Sequence, residues 1–426
     1  MWYNSNMEIL NYQGNKHKLL PFIDDKIKSF LSKDKALLDI FCGGCSVTNY
    51  FAKKYPVISN DLEPYSTVIA NAALLSNRKK EFDDVFLKKF MDDFNLHFSK
   101  LFKPLKSYVA QEKFLLANHS PDYSSFSETI PTFWNGKINP IIKEVISSSH
   151  FKTIQDSYSL FTCFYSNNYF GLLQAMQIDS LRFAIAQTER TYNTDYLFLC
   201  LFGSMNKCVF SKDGHMAQPL NISKNFKRAL ATRSKSILTE FSNLLNEYNK
   251  EEIFNSKISK AYNKNFVDLL GSLDSDEIGC IYADPPYTDM QYSRYYHLLN
   301  TVLEYKIESP TLIGGKFSSG LYLNNRRQSN ISKKGTFAST FSLLLKYSSE
   351  KSIPLVISFG YPTQDSGEQH NRYLIAIDDL ISMAKTYFGS ENVKVHGVDY
   401  SHANQRKSIR KKVVEYLIVC GGKKND

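Results

Sequence analysis

Two apolar runs, parted by a glycine turn and ended by acids, constrain this chain more than any other feature. Ala36 to Phe41 reads as a short buried strand closed by Gly43-Gly44. Val47 to Lys54 then fits a helix, and Pro56 to Ser59 a second strand ending at Asn60-Asp61. Tyr65, Val68, Ile69, Ala72 and Leu75 recur at helical spacing behind it. Strand, glycine turn, helix, strand and acid open a doubly wound α/β sheet, whose ligands bind beyond the carboxyl ends of its strands.

Upstream, Leu20, Ile23, Ile27, Phe30 and Leu31 share one helical stripe. The alternation is lost over 79–255, where Lys, Ser, Asn and aromatics are irregularly spaced, and it resumes at Ile258. Phe266 to Leu270 leads into a strand over Ile278 to Ala283, and residues 290–305 carry apolar groups at helical spacing. Further strands are expected at Pro354 to Phe359, Val393 to Val398 and Val413 to Val419. The expected fold is a Rossmann-like α/β domain, 1–78 and 256–426, interrupted by a large, mainly helical insertion over 79–255. The Gly-, Ser- and Asn-rich stretch 309–335 reads as a mobile loop.

Lys and Arg number 52 against 42 Asp and Glu, a net charge of +10 that favours a polyanionic partner. Seven cysteines without regular spacing do not form a disulfide framework, and the Cys42/Cys45 pair lacks the second pair of a zinc site. No metal is expected. The N-terminus shows no signal pattern, and Tyr196 to Phe202 is too short to span a bilayer, so a cytoplasmic protein is expected.

Asp284-Pro285-Pro286-Tyr287 stands directly after the apolar run 278–283. A carboxylate, two rigid prolines and an aromatic ring at a strand end suit the holding of an exocyclic amine. By themselves they equally make a strand-to-loop turn. Asp39 at one strand end, Gly43-Gly44 and Asp61 at the next strand end form a second constellation. Glycines allow close backbone approach, and an acid at that interval can take both hydroxyls of a ribose. No G-x-G-x-x-G and no Walker-type motif is present. A nucleoside without phosphates is therefore favoured, and S-adenosylmethionine is such a ligand.

Asn11-Tyr12-x-Gly14-Asn15-Lys16, then Asp39-x-Phe41-x-Gly43-Gly44, then Asn60-Asp61, then Asp284-Pro-Pro-Tyr287 occur in that order. This series resembles the alpha group of DNA amino-methyltransferases, nearest the Dam-like and FokI-type adenine-N6 family, over roughly 7–78 and 258–420. Gln291-Tyr292 and Tyr295-Tyr296-His297 extend the resemblance to the FokI-type branch. The resemblance implies a cofactor pocket for S-adenosylmethionine. In it Tyr12, Gly14 and Lys16 form the N-terminal cofactor motif, with Lys16 near the methionine carboxylate. Asp39, Phe41, Gly43 and Gly44 line the methionine side, Asp61 holds the ribose, and Phe266 and Asp268 meet the adenine. The chain departs from the family pattern at Cys45, where a third glycine is usual, and at Ile40, where proline is common. The resemblance also implies that 79–255 is a target-recognition domain.

On this reading Asp284 and the Pro285 carbonyl accept the two N–H groups of adenine N6, favouring the pyramidal nitrogen needed for in-line methyl transfer. Tyr287 stacks on a base flipped out of duplex DNA. Pro285 and Pro286 lock the backbone that aims these groups. Tyr292, Tyr295, Tyr296 and Leu299 serve equally as helix core, and His297 reads as a packed histidine outside the catalytic set. Arg406, Lys407, Arg410, Lys411 and Lys412, on a loop between the last two strands, can track phosphates, as can Arg326-Arg327 and Lys333-Lys334. The expected partners are double-stranded DNA and, for a modification component, a cognate restriction or defence subunit. Transfer to cytosine N4 is the runner-up, where Ser usually replaces Asp284. An RNA adenine site more often carries Asn there. A non-catalytic DNA-binding subunit is the alternative from another class.

Overall fold

A computed structural model of the chain describes residues 14–75, 79–130, 156–247, 256–290, 292–306, 311–323, 326–363, 370–401 and 412–421. They fall into two compact units. One holds Gly14–Asn77, Lys250–Ser293 and Arg327–Asp426, the other Arg78–Asn249 and Arg294–Arg326.

The first unit is built on a seven-stranded sheet: β1 (Ala36–Asp39), β2 (Val57–Asp61), β3 (Lys260–Asn263), β4 (Ile278–Ala283), β5 (Leu355–Pro362), β6 (Val393–Ser401) and β7 (Lys412–Cys420). The spatial order is β3-β2-β1-β4-β5-β7-β6. The strands from β3 to β5 pair in parallel, and β7 runs antiparallel to both β5 and β6. Every residue of β1 and β4 is buried, as parallel strands covered on both faces require.

Successive side chains on these strands feed opposite cores. Leu38, Ile281 and Ile357 join Phe341, Leu344 and Leu380 from the helices Phe337–Glu350 and Ile377–Phe388. Leu37, Cys280, Tyr282 and Val356 join Ile23, Ile27 and Phe51 from the helices Leu20–Ile27 and Ser46–Phe51. The strand order reverses between β1 and β4, so the carboxyl ends of these two strands form the sheet's switch point. Asp39 ends β1 and Asp284 follows β4.

The expected strands and helices of this unit are all present, shifted by up to three residues at their ends. One strand was not expected. β3 has exposed ends and half-buried middle residues, and so carries no apolar signal.

The second unit is helical. Its longest helix, Asp84–Ala117, has 34 residues, and its first turn is capped by Asp83, whose carboxylate accepts from the Phe86 amide at 2.8 Å. Phe86, Phe90, Phe94, His97, Leu101, Leu105, Val109, Glu112 and Leu116 are buried at steps of three and four. The irregularity seen in the sequence came from the exposed face between them (Lys88, Lys89, Lys100, Lys103, Lys106) and from Pro104 inside the helix. Leu101, Leu105 and Val109 pack with Leu172 and Met176 of the helix Leu172–Ala186. Within the stretch read as a loop, Leu312–Ile313 and Lys316–Phe317 pair as a hairpin turned by Gly314 and Gly315, at φ 57° and 77°. Arg294–Arg326, left with the sheet by the sequence boundaries, groups with this helical unit. Among the described residues no helix is long and apolar enough to cross a membrane.

Gly279 in β4 tests the packing beneath the switch point. A Cβ there would lie 2.8 Å from the Phe30 carbonyl oxygen and 3.1 Å from Lys35 Cβ, so backbone must move. Gly279→Ala is expected to lower folding stability by roughly 1–3 kcal/mol, read as a fall in urea midpoint at unchanged m-value.

Candidate active site

Asp39 is buried at the end of β1. Its Oδ2 accepts from the Thr48 amide at 3.2 Å and the Thr48 hydroxyl at 2.7 Å, and Ser59 continues the chain of bonds 2.8 Å beyond. Its Oδ1 is equally buried and has no partner among the described residues. Burial pushes the carboxyl up to about 7 against the Thr48 hydrogen bonds, and the charges of Asp284 and Asp61 add to the rise.

The glycine turn that follows is held from β2. Cys42 donates its amide to the Asn60 carbonyl at 2.9 Å, and Gly43 donates its amide to Asp61 Oδ2 at 2.9 Å. Asp61 Oδ1 accepts from the Glu63 amide at 2.9 Å, so one carboxylate braces the turn and the start of the next helix together. Burial raises the Asp61 carboxyl too. Gly43 and Cys45 both adopt left-handed backbone, at φ 49° and 59°. Cys45 therefore takes at some cost the conformation that a third glycine takes freely. Its buried thiol points to the Ser66 carbonyl at 3.4 Å. Phe41, half-buried, meets buried Phe266 edge-on at 5.2 Å. Asp268 lies exposed on the helix Phe266–Leu270.

Beside this turn Lys16 is buried at 4% exposure, too deep for a cation without a counter-charge. Its ammonium lies 3.0 Å from Asp284 Oδ2 and 3.4 Å from Glu415 Oε1, and donates to the Tyr287 hydroxyl at 2.7 Å. That hydroxyl is 2.5 Å from Asp284 Oδ1 and 2.6 Å from Glu415 Oε1. A phenol has one proton to give, so it serves one carboxylate at a time; the other contact becomes a hydrogen bond when its carboxyl carries the proton. Burial raises the Asp284 carboxyl, Lys16 pulls it back, and the charge of Glu415 raises it further. Asp284 remains 21% exposed on its side chain and so is open to a ligand.

The structure thus brings Gly14, Lys16, Asp39, Gly43, Asp61, Asp284 and Tyr287 into one unit, at the switch point of its sheet. Lys16 is set against the Asp-Pro-Pro-Tyr segment. Tyr12, Arg406, Lys407, Arg410 and Lys411 lie outside the described residues. His297 is in the other unit, buried edge-on to Tyr169 and Tyr322.

Glu415 was missed by the sequence reading. It sits on β7 directly opposite Gly360 of β5, is 1% exposed, and also accepts from the Ser358 hydroxyl at 2.6 Å. The signal was available: an acid within the run Val413 to Cys420, which is otherwise free of charge. Gly360 makes the room. A Cβ there would lie 2.8 Å from the Tyr287 ring and 3.0 Å from Glu415 Oε2. The ring also packs on Phe359 at 4.9 Å, and the Tyr287 carbonyl accepts from the Leu374 amide at 2.9 Å.

A family model described as "D12 class N6 adenine-specific DNA methyltransferase" matches residues 12–329. The chain is 24% identical to "Modification methylase LlaI" of Lactococcus lactis subsp. lactis, over 96% of this chain and 54% of the relative. It is 21% identical to "Type II methyltransferase M.FokI" of Planomicrobium okeanokoites, over 96% of this chain and 52% of that one. It is 23% identical to "Type II methyltransferase M2.HphI" of Haemophilus parahaemolyticus, over 71% of this chain and 73% of the relative. The chain spans about half the length of the first two.

Asp39 gives a pH signature to the unliganded protein. Below about pH 4 it is protonated in both the folded and the unfolded chain. Between its ordinary value of 3.8 and about 7 the folded chain keeps a proton that the unfolded chain releases, so stability falls as pH rises through that window. Asp179 in the helical unit is raised to about 7 as well and contributes with the same sign. Asp39→Asn removes only its own share. At pH 8 the unliganded variant is expected to be more stable than wild type, by no more than about 4 kcal/mol, and to match it at pH 4. Urea titrations at the two pH values check this; equal stability at pH 8 would refute it.

Proposed function

Because this chain belongs to the D12 class N6 adenine-specific DNA methyltransferase family, we propose that it transfers a methyl group from S-adenosylmethionine to adenine N6 in duplex DNA. The observation that carries the reading is the placing of Asp284, partly open, at the strand switch point beside the buried and unpartnered oxygen of Asp39.

The residues fit the cofactor. Asp39 Oδ1 lacks a donor that a positively charged ligand end would supply, and its raised carboxyl would ionise on that ligand's arrival. Asp61 uses one lone pair of each oxygen on backbone amides and keeps others for ribose hydroxyls. Phe41 and Phe266 offer aromatic surface, Gly43 and Gly44 close approach, and Asp268 a carboxylate for the adenine end. When bound, the cofactor supplies an electrophilic methyl on a sulfonium.

The chain's own groups prepare the amine. Asp284 accepts one N6–H and the Pro285 carbonyl the other, which turns the lone pair out of the ring. As the N–C bond forms, the nitrogen becomes cationic and one of its N–H protons acidic. Asp284, whose affinity for a proton burial and Glu415 already raise, receives that proton. Pro286 stiffens the turn, and Tyr287, anchored through its hydroxyl, offers its ring to a base that has left the helix.

The helical unit is the target-recognition element on this reading, and Arg406, Lys407, Arg410 and Lys411 hold phosphates. Its likeness to a modification methylase and to Type II methyltransferases supports a role as the modification partner of a restriction or defence system, acting on cytoplasmic DNA.

Purified protein, tritiated cofactor and mixed-sequence duplex are expected to yield labelled DNA, with N6-methyladenine found by mass spectrometry of its nucleosides. N4-methylcytosine in its place would overturn the choice of base. Asp284→Ala is expected to abolish transfer while cofactor affinity survives. Asp61→Ala is expected to weaken cofactor binding at least tenfold in an equilibrium titration; an unchanged Kd removes it from the ribose site.

A further inference from the structure

The chain passes from the sheet unit into the helical unit between Ser293 and Arg294, and returns between Arg326 and Arg327. An arginine of the helical unit stands at each passage, and the two share one tyrosine. The Arg294 guanidinium lies 5.7 Å, and that of Arg326 5.3 Å, from the centre of the Tyr322 ring.

Tyr322 is a fixed post. Its hydroxyl donates to the Ala217 carbonyl and its amide to the Ser318 hydroxyl at 3.1 Å. Gly320 lies against the ring so closely that any side chain there would collide with it. His297 meets the ring edge-on at 5.4 Å. Burial, with the Arg326 charge adding to it, lowers that imidazole to about 3, so it is neutral and the positive charge belongs to the arginines.

Neither guanidinium has a carboxylate partner among the described residues. Arg326 donates to the Leu323 carbonyl at 2.7 Å and the Thr311 hydroxyl at 3.2 Å, while its Nε is buried without an acceptor. Arg294 is exposed. Two like charges gathered on an aromatic post with no counter-ion, in a chain of net charge +10, complement an anion with several acceptor oxygens. Arg294 also follows the Asp-Pro-Pro-Tyr segment closely in sequence.

We propose that Arg294 and Arg326, braced on Tyr322, form a clamp for a backbone phosphate of duplex DNA. The inference rests on the DNA-modifying reading above and adds to it a phosphate site besides Arg406, Lys407, Arg410 and Lys411.

The test is the salt dependence of binding to a fluorescein-labelled 30-base-pair duplex of mixed sequence, followed by anisotropy from 50 to 300 mM KCl. For Arg294→Gln, whose exposed side chain leaves folding untouched, the slope of log K against log salt is expected to fall by about one. For Arg294→Gln/Arg326→Gln it is expected to fall by up to two, with affinity at 100 mM salt about tenfold weaker. Arg294→Lys should restore most of the slope. Cofactor affinity should stay within twofold of wild type for Arg294→Gln. An unchanged slope in Arg294→Gln overturns the clamp and leaves the two arginines as packing for Tyr322. Wild-type protein that binds no duplex at any salt overturns both the clamp and the DNA-modifying reading.

Discussion

The ammonium of Lys16 is the constraint around which the sheet unit is organised. A charge at 4% exposure is tolerated only with close counter-charges, and Asp284 and Glu415 supply them from two separate strands. Tyr287 ties the three groups into one knot, in bonds that span 271 residues to Lys16 and 128 to Glu415. Removing Lys16 would leave two buried carboxyl groups facing one another without a counter-charge. The knot also fixes the one acid that remains partly open, Asp284, in a defined orientation before any ligand arrives.

The sheet presents its chemistry in the same economical way. Asp39 and Asp284 flank the place where the strand order reverses, and Asp61 reaches across from β2 to brace the turn between them. Burial raises all three carboxyls. Acids held so are poor company for one another and ready partners for cations. Function and stability pull in opposite directions at this point of the fold.

Much of this was legible because it is local. A strand ending in an acid, a glycine turn and a second acid can be read from neighbouring residues, and so could the Asp-Pro-Pro-Tyr segment. Cys45 was a departure whose consequence needed the backbone: left-handed φ, with the thiol folded inward. β3 escaped because an edge strand of half-exposed residues has no apolar pattern. Glu415 escaped because its meaning lies in Lys16 and Tyr287, far away in the chain. Arg294 stands unremarked in the sequence and Arg326 reads only as half of a basic pair, until Tyr322 brings them together.

The span of the knot sets a clock. A ribosome adding about 5–20 residues per second needs on the order of 20–80 s to travel from Lys16 to Glu415. Throughout that interval the cation near the start of the chain has only part of its counter-charge, and β5 lacks the neighbour that seats Tyr287. Strand β7 is the last piece of the sheet to be made and the one that completes the site. A nascent chain therefore holds the glycine turn and its two acids long before the knot around Lys16 is closed, and the switch point takes its final form only with the finished sheet.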